Sequence, residues 1–441
     1  MKDDKVKIEQ RIRNMKNFYV KTAELIDKLP DAVPEKARNI IKDKILGDKE
    51  LKSFMESLDS NRPPRFFIIG RTGVGKSSLI NALCGSYLAA VSDVESCTEN
   101  STIYKYMDGE RVLMEIFDTR GISESESLDK KISAEDALIA QVSEFSPDAA
   151  VFVLSCTHRD DVVTDVEFLK KLAKEYNKVN RVHLPIVVVV NKCDEMAPSR
   201  FKSPSEYPQN KKDKIQEAVN YYKGIIVKNG LKIDNMIAVS SLIDWQTADG
   251  MEIDVKDIGN LPKEDIADLK IAFDGRYNIG ELLDILEEAI PDIGAQMGLR
   301  MAARLQEVVN RLARHLNNIF SAISAAVAAT PIPIADVYVL LLIQALLVCL
   351  IASLSGRDLS IENGLEFILS IGGVIGVGNV FRIIAHQAFK LWPGAGNVIG
   401  SGIAAVGTQA IGNCAIEYYI NGRPIKQARQ IFKKFKKDHS E

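Results

Sequence analysis

The spacing of apolar and polar positions changes character along the chain. Up to about residue 61, apolar positions such as Ile8, Ile12, Met15 and Tyr19 recur at helical spacing in charge-rich sequence cut by Pro30 and Pro34, which predicts two or three helices. Asn61-Arg62-Pro63-Pro64 ends that pattern. From 65 to about 291, short apolar runs at 65–69, 101–107, 112–117, 149–154, 185–190 and 235–239 alternate with helical stretches. Such alternation predicts an α/β domain with a mostly parallel sheet. Asp108-Gly109 between two alternating runs predicts a hairpin, and so one antiparallel strand. Residues 243–277 read as a polar, irregular excursion before a helix at 279–289.

The remainder reads as helical and increasingly apolar. Residues 295–323 place Leu299, Ala302, Ala303, Val309 and Leu312 among Arg300, Arg304, Arg311 and Arg314, an amphipathic basic helix stopped by Thr330-Pro331-Ile332-Pro333. Residues 337–356 form a 20-residue run without a charge, and 391–416 one of 26. Glycines recur from Gly372 to Gly412, a spacing that lets helices approach closely. A basic tail follows, with Arg423, Lys426, Arg429, Lys433, Lys434, Lys436 and Lys437. The expected division is an N-terminal helical segment over 1–61, an α/β domain over 62–291, an apolar helical domain over 292–422 and a basic tail over 423–441.

At 441 residues the chain has room for two or three cores. Its net charge of −3 hides a split: from residue 295 onward 14 Lys and Arg face 8 Asp and Glu, net +6, which leaves −9 for residues 1–294. The six cysteines, Cys84, Cys97, Cys156, Cys193, Cys349 and Cys414, show no metal-ligand spacing and read as reduced thiols. No secretory signal pattern opens the sequence. The expectation is a chain in the cytoplasm or at the cytoplasmic face of a membrane.

The chemistry lies in three motifs. Gly70-Arg71-Thr72-Gly73-Val74-Gly75-Lys76-Ser77-Ser78 follows the first strand and opens a helix, the context a phosphate-binding loop requires. Glycines let backbone N–H groups close on phosphate oxygens, Lys76 brings a point charge to the β- and γ-phosphates, and the Ser77 hydroxyl suits Mg²⁺. Asp118 of Asp118-Thr119-Arg120-Gly121, at a strand end, suits holding that Mg²⁺ through water, and the Gly121 N–H can reach a γ-phosphate. Asn191-Lys192-Cys193-Asp194 ends another strand. The Asp194 carboxylate can accept N1–H and N2–H of guanine together, whereas adenine presents an acceptor there. Asn191 is expected to tie this segment to the phosphate loop, with the Lys192 stem over the base. Thr98 is the candidate to close on Mg²⁺ and the γ-phosphate, preferred over Thr102. Ser240-Ser241 is the candidate for backbone contact to the guanine oxygen. Lys76, Thr98 and Gly121 are thus the expected catalytic positions, Ser77, Thr98 and Asp118 the metal positions, and GTP or GDP with Mg²⁺ the ligands.

Residues 65–291 resemble the Era-like branch of the translation-factor-related GTPases, through the run from Gly70 to Leu83 and Val91-Ser92-Asp93-Val94. The resemblance implies a P-loop G domain with a six-stranded, mostly parallel sheet, which hydrolyses GTP as a conformational switch. Residues 295–422, especially Ala329-Thr330-Pro331-Ile332-Pro333-Ile334-Ala335-Asp336, resemble an uncharacterised helical domain that often follows such GTPases and is commonly linked to membranes. The layout also resembles that of immunity-related GTPases. Three departures matter. Gly73 stands where potassium-activated relatives carry Asn, and Arg120 replaces the usual Pro. Ile122 stands where signalling GTPases place a water-orienting glutamine, so turnover should be slow until a partner or a second copy supplies that group.

Three readings of the whole chain remain open at this point. The leading one is a GTPase switch whose residues 295–437 engage a membrane: the 337–356 run would span about 30 Å as a helix, while Asp336, Gln344 and the many glycines leave open a helix buried in a soluble bundle. The second is a self-assembling, dynamin-like or immunity-related GTPase acting through a homodimer of G domains. The third, an RNA-binding ribosome-assembly GTPase, calls for aromatics among the basic residues, and the tail offers Phe432 and Phe435 alone, which argues against a nucleic-acid partner.

Overall fold

The computed structural model describes residues 8–31, 33–87, 95–98, 101–108, 111–119, 128–157, 162–262, 265–266, 268–329, 336–372 and 401–438. They form two compact units, one of residues 60–304 and one that joins residues up to 59 with 305–441.

The 60–304 unit is a doubly wound α/β layer structure. Its strands are β1 (Arg65–Ile69), β2 (Glu95–Thr98), β3 (Ser101–Asp108), β4 (Arg111–Thr119), β5 (Ala149–Ser155), β6 (Ile186–Asn191) and β7 (Asn235–Ala238), in the order β2-β3-β4-β1-β5-β6-β7. β3 runs antiparallel to both of its neighbours and the remaining pairs are parallel. β5 and β6 are buried at every position, which is why they read as unbroken apolar runs. One face of the sheet packs on Leu79 and Leu83 of α5 (Lys76–Cys84), Leu282 and Leu286 of α10 (Ile279–Ala289) and Leu299 of α11 (Ile293–Ala303). The other packs on Val166, Leu169 and Leu172 of α7 (Val163–Asn180) and on Ile215, Tyr222 and Ile226 of α8 (Gln209–Lys228), with α6 (Leu128–Phe145) alongside α7.

The mixed, mostly parallel sheet is the expected one, with Glu95–Thr98 added at its edge. The hairpin pairs Asp108 with Arg111; Gly109 and Glu110 lie outside the described residues. The 243–277 stretch differs from expectation. It contains β8 (Ser240–Gln246), β9 (Glu252–Ile253), the short helix α9 (Val255–Ile258) and β10 (Lys270–Tyr277), and the strands form a second, antiparallel sheet ordered β10-β8-β9. β8 escapes a hydropathy reading because two of its buried positions are Ser240 and Ser241, while Ile243 and Trp245 supply its apolar contacts.

The segment entering β1 is locked by charge. Arg62 makes a two-pronged pair with Asp148, at 2.9 and 2.5 Å, and its Nε lies 3.1 Å from Asp292. Asp148 also accepts from the Arg65 amide at 2.8 Å. α11 crosses this segment so closely that a Cβ on Gly298 would stand 1.9 Å from the Arg62 carbonyl oxygen. The amphipathic helix expected over 295–323 is broken at Arg304, where φ is −133°. The Arg304 guanidinium bonds Asp284 and the Gly280 carbonyl, at 2.5 and 2.6 Å, instead of lying along a continuous helix.

The other unit is all helical. Its first part holds α1 (Ile8–Lys16), α2 (Phe18–Asp27), α3 (Glu35–Leu46) and α4 (Lys49–Asp59), four helices where two or three were expected. The Arg38 side chain holds the α2–α3 corner by donating to the carbonyls of Ile26, Leu29, Pro30 and Val33. Its second part holds α12 (Leu305–Ala328), α13 (Asp336–Leu354), α14 (Ile361–Ile371), α15 (Ser401–Ala415) and α16 (Ile425–Asp438), with a π-helical turn at Ile416–Ile420.

α13 carries the charge-free 337–356 run and is the central helix of this unit. Residues 339–354 are buried on every side, packed by α1, α12, α14 and α15. A helix apolar all round either faces lipid or fills the middle of a bundle, and this one does the latter. Among the described residues no helix is long and apolar enough to cross a membrane. Other helices meet part of its polar surface: Gln344 donates to Thr408 at 2.9 Å, Thr408 to Ser324 at 2.9 Å, and Asn14 to the Ser353 carbonyl at 2.9 Å, while Gln344 Oε1 and Ser353 Oγ are buried without a hydrogen-bond partner among the described residues. Residues 391–400 of the second apolar run lie outside the described residues.

Gly298→Ala should therefore strain the α11 crossing and cost about 1–3 kcal/mol, as overpacking does. Gly224→Ala, in α8 where an added Cβ meets nothing within 4 Å, should leave stability equal or raise it by about 0.5–1 kcal/mol. Thermal unfolding of the two variants checks the contrast; equal melting temperatures would refute the close approach.

Candidate functional site

The C-terminal ends of β1, β4, β5 and β6 converge, the place where open α/β sheets bind ligands. Register fixes what stands there: Ile68 beside Asp118, and Ser155 beside Asn191. The loop from Gly70 to Gly75 runs from β1 into the N-terminus of α5, with Gly73 and Gly75 at φ +84° and +89°. These left-handed positions turn successive N–H groups inward, the form of an anion nest at a helix start. Arg71, Thr72, Ser77 and Ser78 are on the accessible side of the loop and Val74 is buried beneath it. Lys76 folds back, its Nζ donating to the Gly70 carbonyl at 2.7 Å and lying 3.7 Å from Asp118 Oδ1. Arg71 Nε is 3.5 Å from the buried carboxylate of Asp165 on α7.

Asn191 joins two of the sequence motifs. It is wholly buried, and its Nδ2 donates to the carbonyls of Val74 at 3.0 Å and Gly75 at 3.3 Å. A Cβ on Gly75 would stand 2.6 Å from that Nδ2, so glycine is required there by both φ and space. Lys192 follows with φ +68° and its amine 3.2 Å from Glu195. Asp194 is also buried, its Oδ1 accepting from Ser240 Oγ at 2.9 Å. Ser241 lies beside it at the start of β8, its Oγ 3.8 Å from the place of a Gly75 Cβ. The expected tie of Asn191 to the phosphate loop is thus present, and Ser240 meets Asp194 through its side chain.

Two residues at this end were not singled out from sequence. Lys211 of α8 is fully buried; its Nζ donates to the carbonyls of Asp194 at 2.7 Å and Phe201 at 2.9 Å and sits 4.4 Å from the Tyr207 ring centre. Burial pulls its pKa below the usual lysine range, with Asp194 opposing that shift. Its spacing from Ile215, Ala218 and Tyr222, all buried, was the available signal that it lies on the inner face of α8. Lys202, whose Nζ is 3.4 Å from Asp194 Oδ2, had no such signal. Cys193 is buried against Cys156; their hydrogen bond and burial push its thiol well above the ordinary range, which leaves it a neutral packing group.

Thr98 ends β2, and its side chain lies outside the described residues, as do Gly121 and Ile122 entirely. Asp118 lies near the end of β4, half-buried on the Lys76 side. Among the described residues no group of three or more His, Cys, Asp or Glu could hold a metal. The hard oxygen donors on offer are the Ser77 hydroxyl and the Asp118 carboxylate. That set fits a Mg²⁺ completed by phosphate oxygens and water.

Comparison with known proteins agrees with this geometry. Residues 65–192 match the family described as 50S ribosome-binding GTPase, and 294–439 match a domain of unknown function, DUF697. The 60–304 unit contains a P-loop GTPase domain. The chain is similar to the GTPase Der of Streptococcus gordonii, 27% identical over 222 residues, covering 49% of this chain and 42% of that protein. It is also similar to the tRNA modification GTPase MnmE of Streptococcus agalactiae, 31% identical over 157 residues, covering 35% of this chain and 32% of that protein. The chain therefore spans less than half the length of these relatives. Among solved structures, the LeoA bacterial dynamin GTPase from ETEC covers 97% of this chain and 88% of its own at 13% identity, with a TM-score of only 0.35. The DUF697 match begins within α11, which packs in the GTPase unit.

Lys211→Met should leave the Asp194 and Phe201 carbonyls of the GTPase domain without their donor and cost about 1–3 kcal/mol. Lys212→Met, at the exposed neighbouring position, should change stability by less than about 0.5 kcal/mol. Urea unfolding of both variants tests this, and equal midpoints would contradict the anchoring role of Lys211.

Proposed function

We propose that this protein binds GTP and GDP with Mg²⁺ and hydrolyses GTP to GDP and phosphate, cycling between two states as a switch. The observation that carries the reading is the Asn191 bridge, which fixes a phosphate nest and a buried carboxylate in one rigid frame. Backbone N–H groups of Gly73, Val74, Gly75 and Lys76 hold the phosphate chain. Lys76 leaves the Gly70 carbonyl and places its charge between the β- and γ-phosphates. Ser77 and, through water, Asp118 would hold Mg²⁺, which would supply charge neutralisation at the phosphates. Thr98 and the Gly121 N–H close on the γ-phosphate. Asp194, oriented by Ser240, reads the N1–H and N2–H edge of guanine, while the Lys192 stem covers the base and Ser241 contributes backbone. Since Ile122 can neither accept nor donate a proton, hydrolysis is slow until a partner or a second copy of the GTPase domain orients the water.

The helical unit takes a peripheral role in this reading. With α13 enclosed in the bundle, a membrane contact falls to the basic side of α16, where Lys426, Lys433 and Lys434 are exposed and Ala428 and Phe432 face inward. Each such charge is worth about 1 kcal/mol at an anionic surface. Binding to anionic vesicles at low salt that vanishes at high salt supports this contact; binding that survives high salt contradicts it.

Equilibrium binding to the full chain tests the nucleotide reading. GTP and GDP should bind and ATP should fail to compete. Asp194→Asn should move preference toward xanthine nucleotides, because its amide donates where the carboxylate accepted. Lys76→Ala should lose most GTP affinity or turnover with an unchanged melting temperature in the nucleotide-free protein. Equal competition by ATP would refute guanine specificity.

A further inference from the structure

Asp194 has two carboxylate oxygens, and both are engaged. Oδ1 accepts from Ser240 Oγ at 2.9 Å, a neutral donor that orients the group and leaves a lone pair for a further contact. Oδ2 faces the Lys202 ammonium at 3.4 Å. The two partners differ in kind. Ser240 is buried at the first position of β8, whereas Lys202 stands on the surface segment between Asn191 and α8 with a side chain 44% exposed. The backbone beneath Lys202 is held: Lys211 Nζ ties the Phe201 and Asp194 carbonyls together at 2.9 and 2.7 Å. The Lys202 side chain can therefore swing into water while its backbone stays fixed.

Reading guanine with both N–H groups requires both oxygens of Asp194. We propose that Lys202 is a latch on the guanine-reading carboxylate: its ammonium competes with the base for Asp194 Oδ2 and swings into water as guanine seats. The proposal rests on the guanine reading above and adds a residue outside all three motifs. It follows that Lys202 sets the rate and strength of guanine binding without itself holding the nucleotide. A partly exposed ion pair is worth at most about 1 kcal/mol, so removing the latch should help by about two- to five-fold.

The test is a double-mutant cycle on the full chain. Association rate and affinity for GDP are measured in wild type and Lys202→Met, and for xanthosine diphosphate in Asp194→Asn with and without Lys202→Met. The expected result is a gain of about two- to five-fold for GDP, mainly in association rate, and no gain on the Asp194→Asn background, where no anion draws the lysine. Weaker GDP binding in Lys202→Met would make the lysine a nucleotide-holding residue and overturn the latch. An equal change on both backgrounds would assign the effect to the loop's fold and overturn it too, as would GDP binding identical to wild type. A wild-type chain that binds no GDP at all would instead sink the guanine reading, and the latch with it.

Discussion

A single buried amide sets the geometry of the GTPase domain. Asn191 sits at the end of β6, where the sheet runs out of partners, and spends its Nδ2 on carbonyls of the phosphate loop. Asn191 and Val74 are both buried, so losing their contact would strand the Asn191 amide away from water, whereas the Gly75 carbonyl would keep the Leu79 N–H at 2.9 Å. The phosphate loop needs left-handed glycines to make its nest, and Gly75 has no room for a side chain because Asn191 lies against it. The same amide holds the buried Asp194 carboxylate, three residues on, in a fixed place relative to the phosphate loop. Sheet register supplies the rest, since Ser155 beside Asn191 and Ile68 beside Asp118 are consequences of parallel pairing.

The helical unit answers a different constraint. A 19-residue helix without an exposed face needs neighbours on all sides, and α13 has them in α1, α12, α14 and α15. Gln344 donates through its Nε2 to Thr408, which donates on to Ser324, so one hydrogen-bonded chain sets the register of three helices. Apolar contacts alone would tolerate sliding of such helices; this chain of donors and acceptors does not.

Much of the α/β domain was legible in sequence because its signals are local. Fully buried parallel strands read as apolar runs, and the phosphate loop, Asp118 and Asn191-Lys192-Cys193-Asp194 are fixed by spacing. The second sheet was not legible, since β8 buries two serines and β10 is mostly half-exposed, so neither alternates cleanly. The break at Arg304 was hidden because a helix-forming residue there is diverted by partners 20 and 24 residues upstream. Burial of the charge-free run was undecidable locally: 337–356 reads alike whether it meets lipid or four helices. At the site, Lys211 was recoverable from helical spacing, whereas the Lys202 pairing depends on a loop path that no local rule gives.

The helical unit takes its parts from before and after the α/β domain in sequence, and this sets the order of events during synthesis. α1 to α4 leave the ribosome before the α/β domain, yet the helices that pack on α1 and α3, α13 and α12, emerge only after residue 304. At about 5–20 residues per second, the roughly 245 residues between take on the order of 12–50 s, time enough for the α/β domain to close by itself. For that interval the faces of α1 and α3 that α13 and α12 later cover are bare, so this is the segment most open to wrong apolar contacts during synthesis.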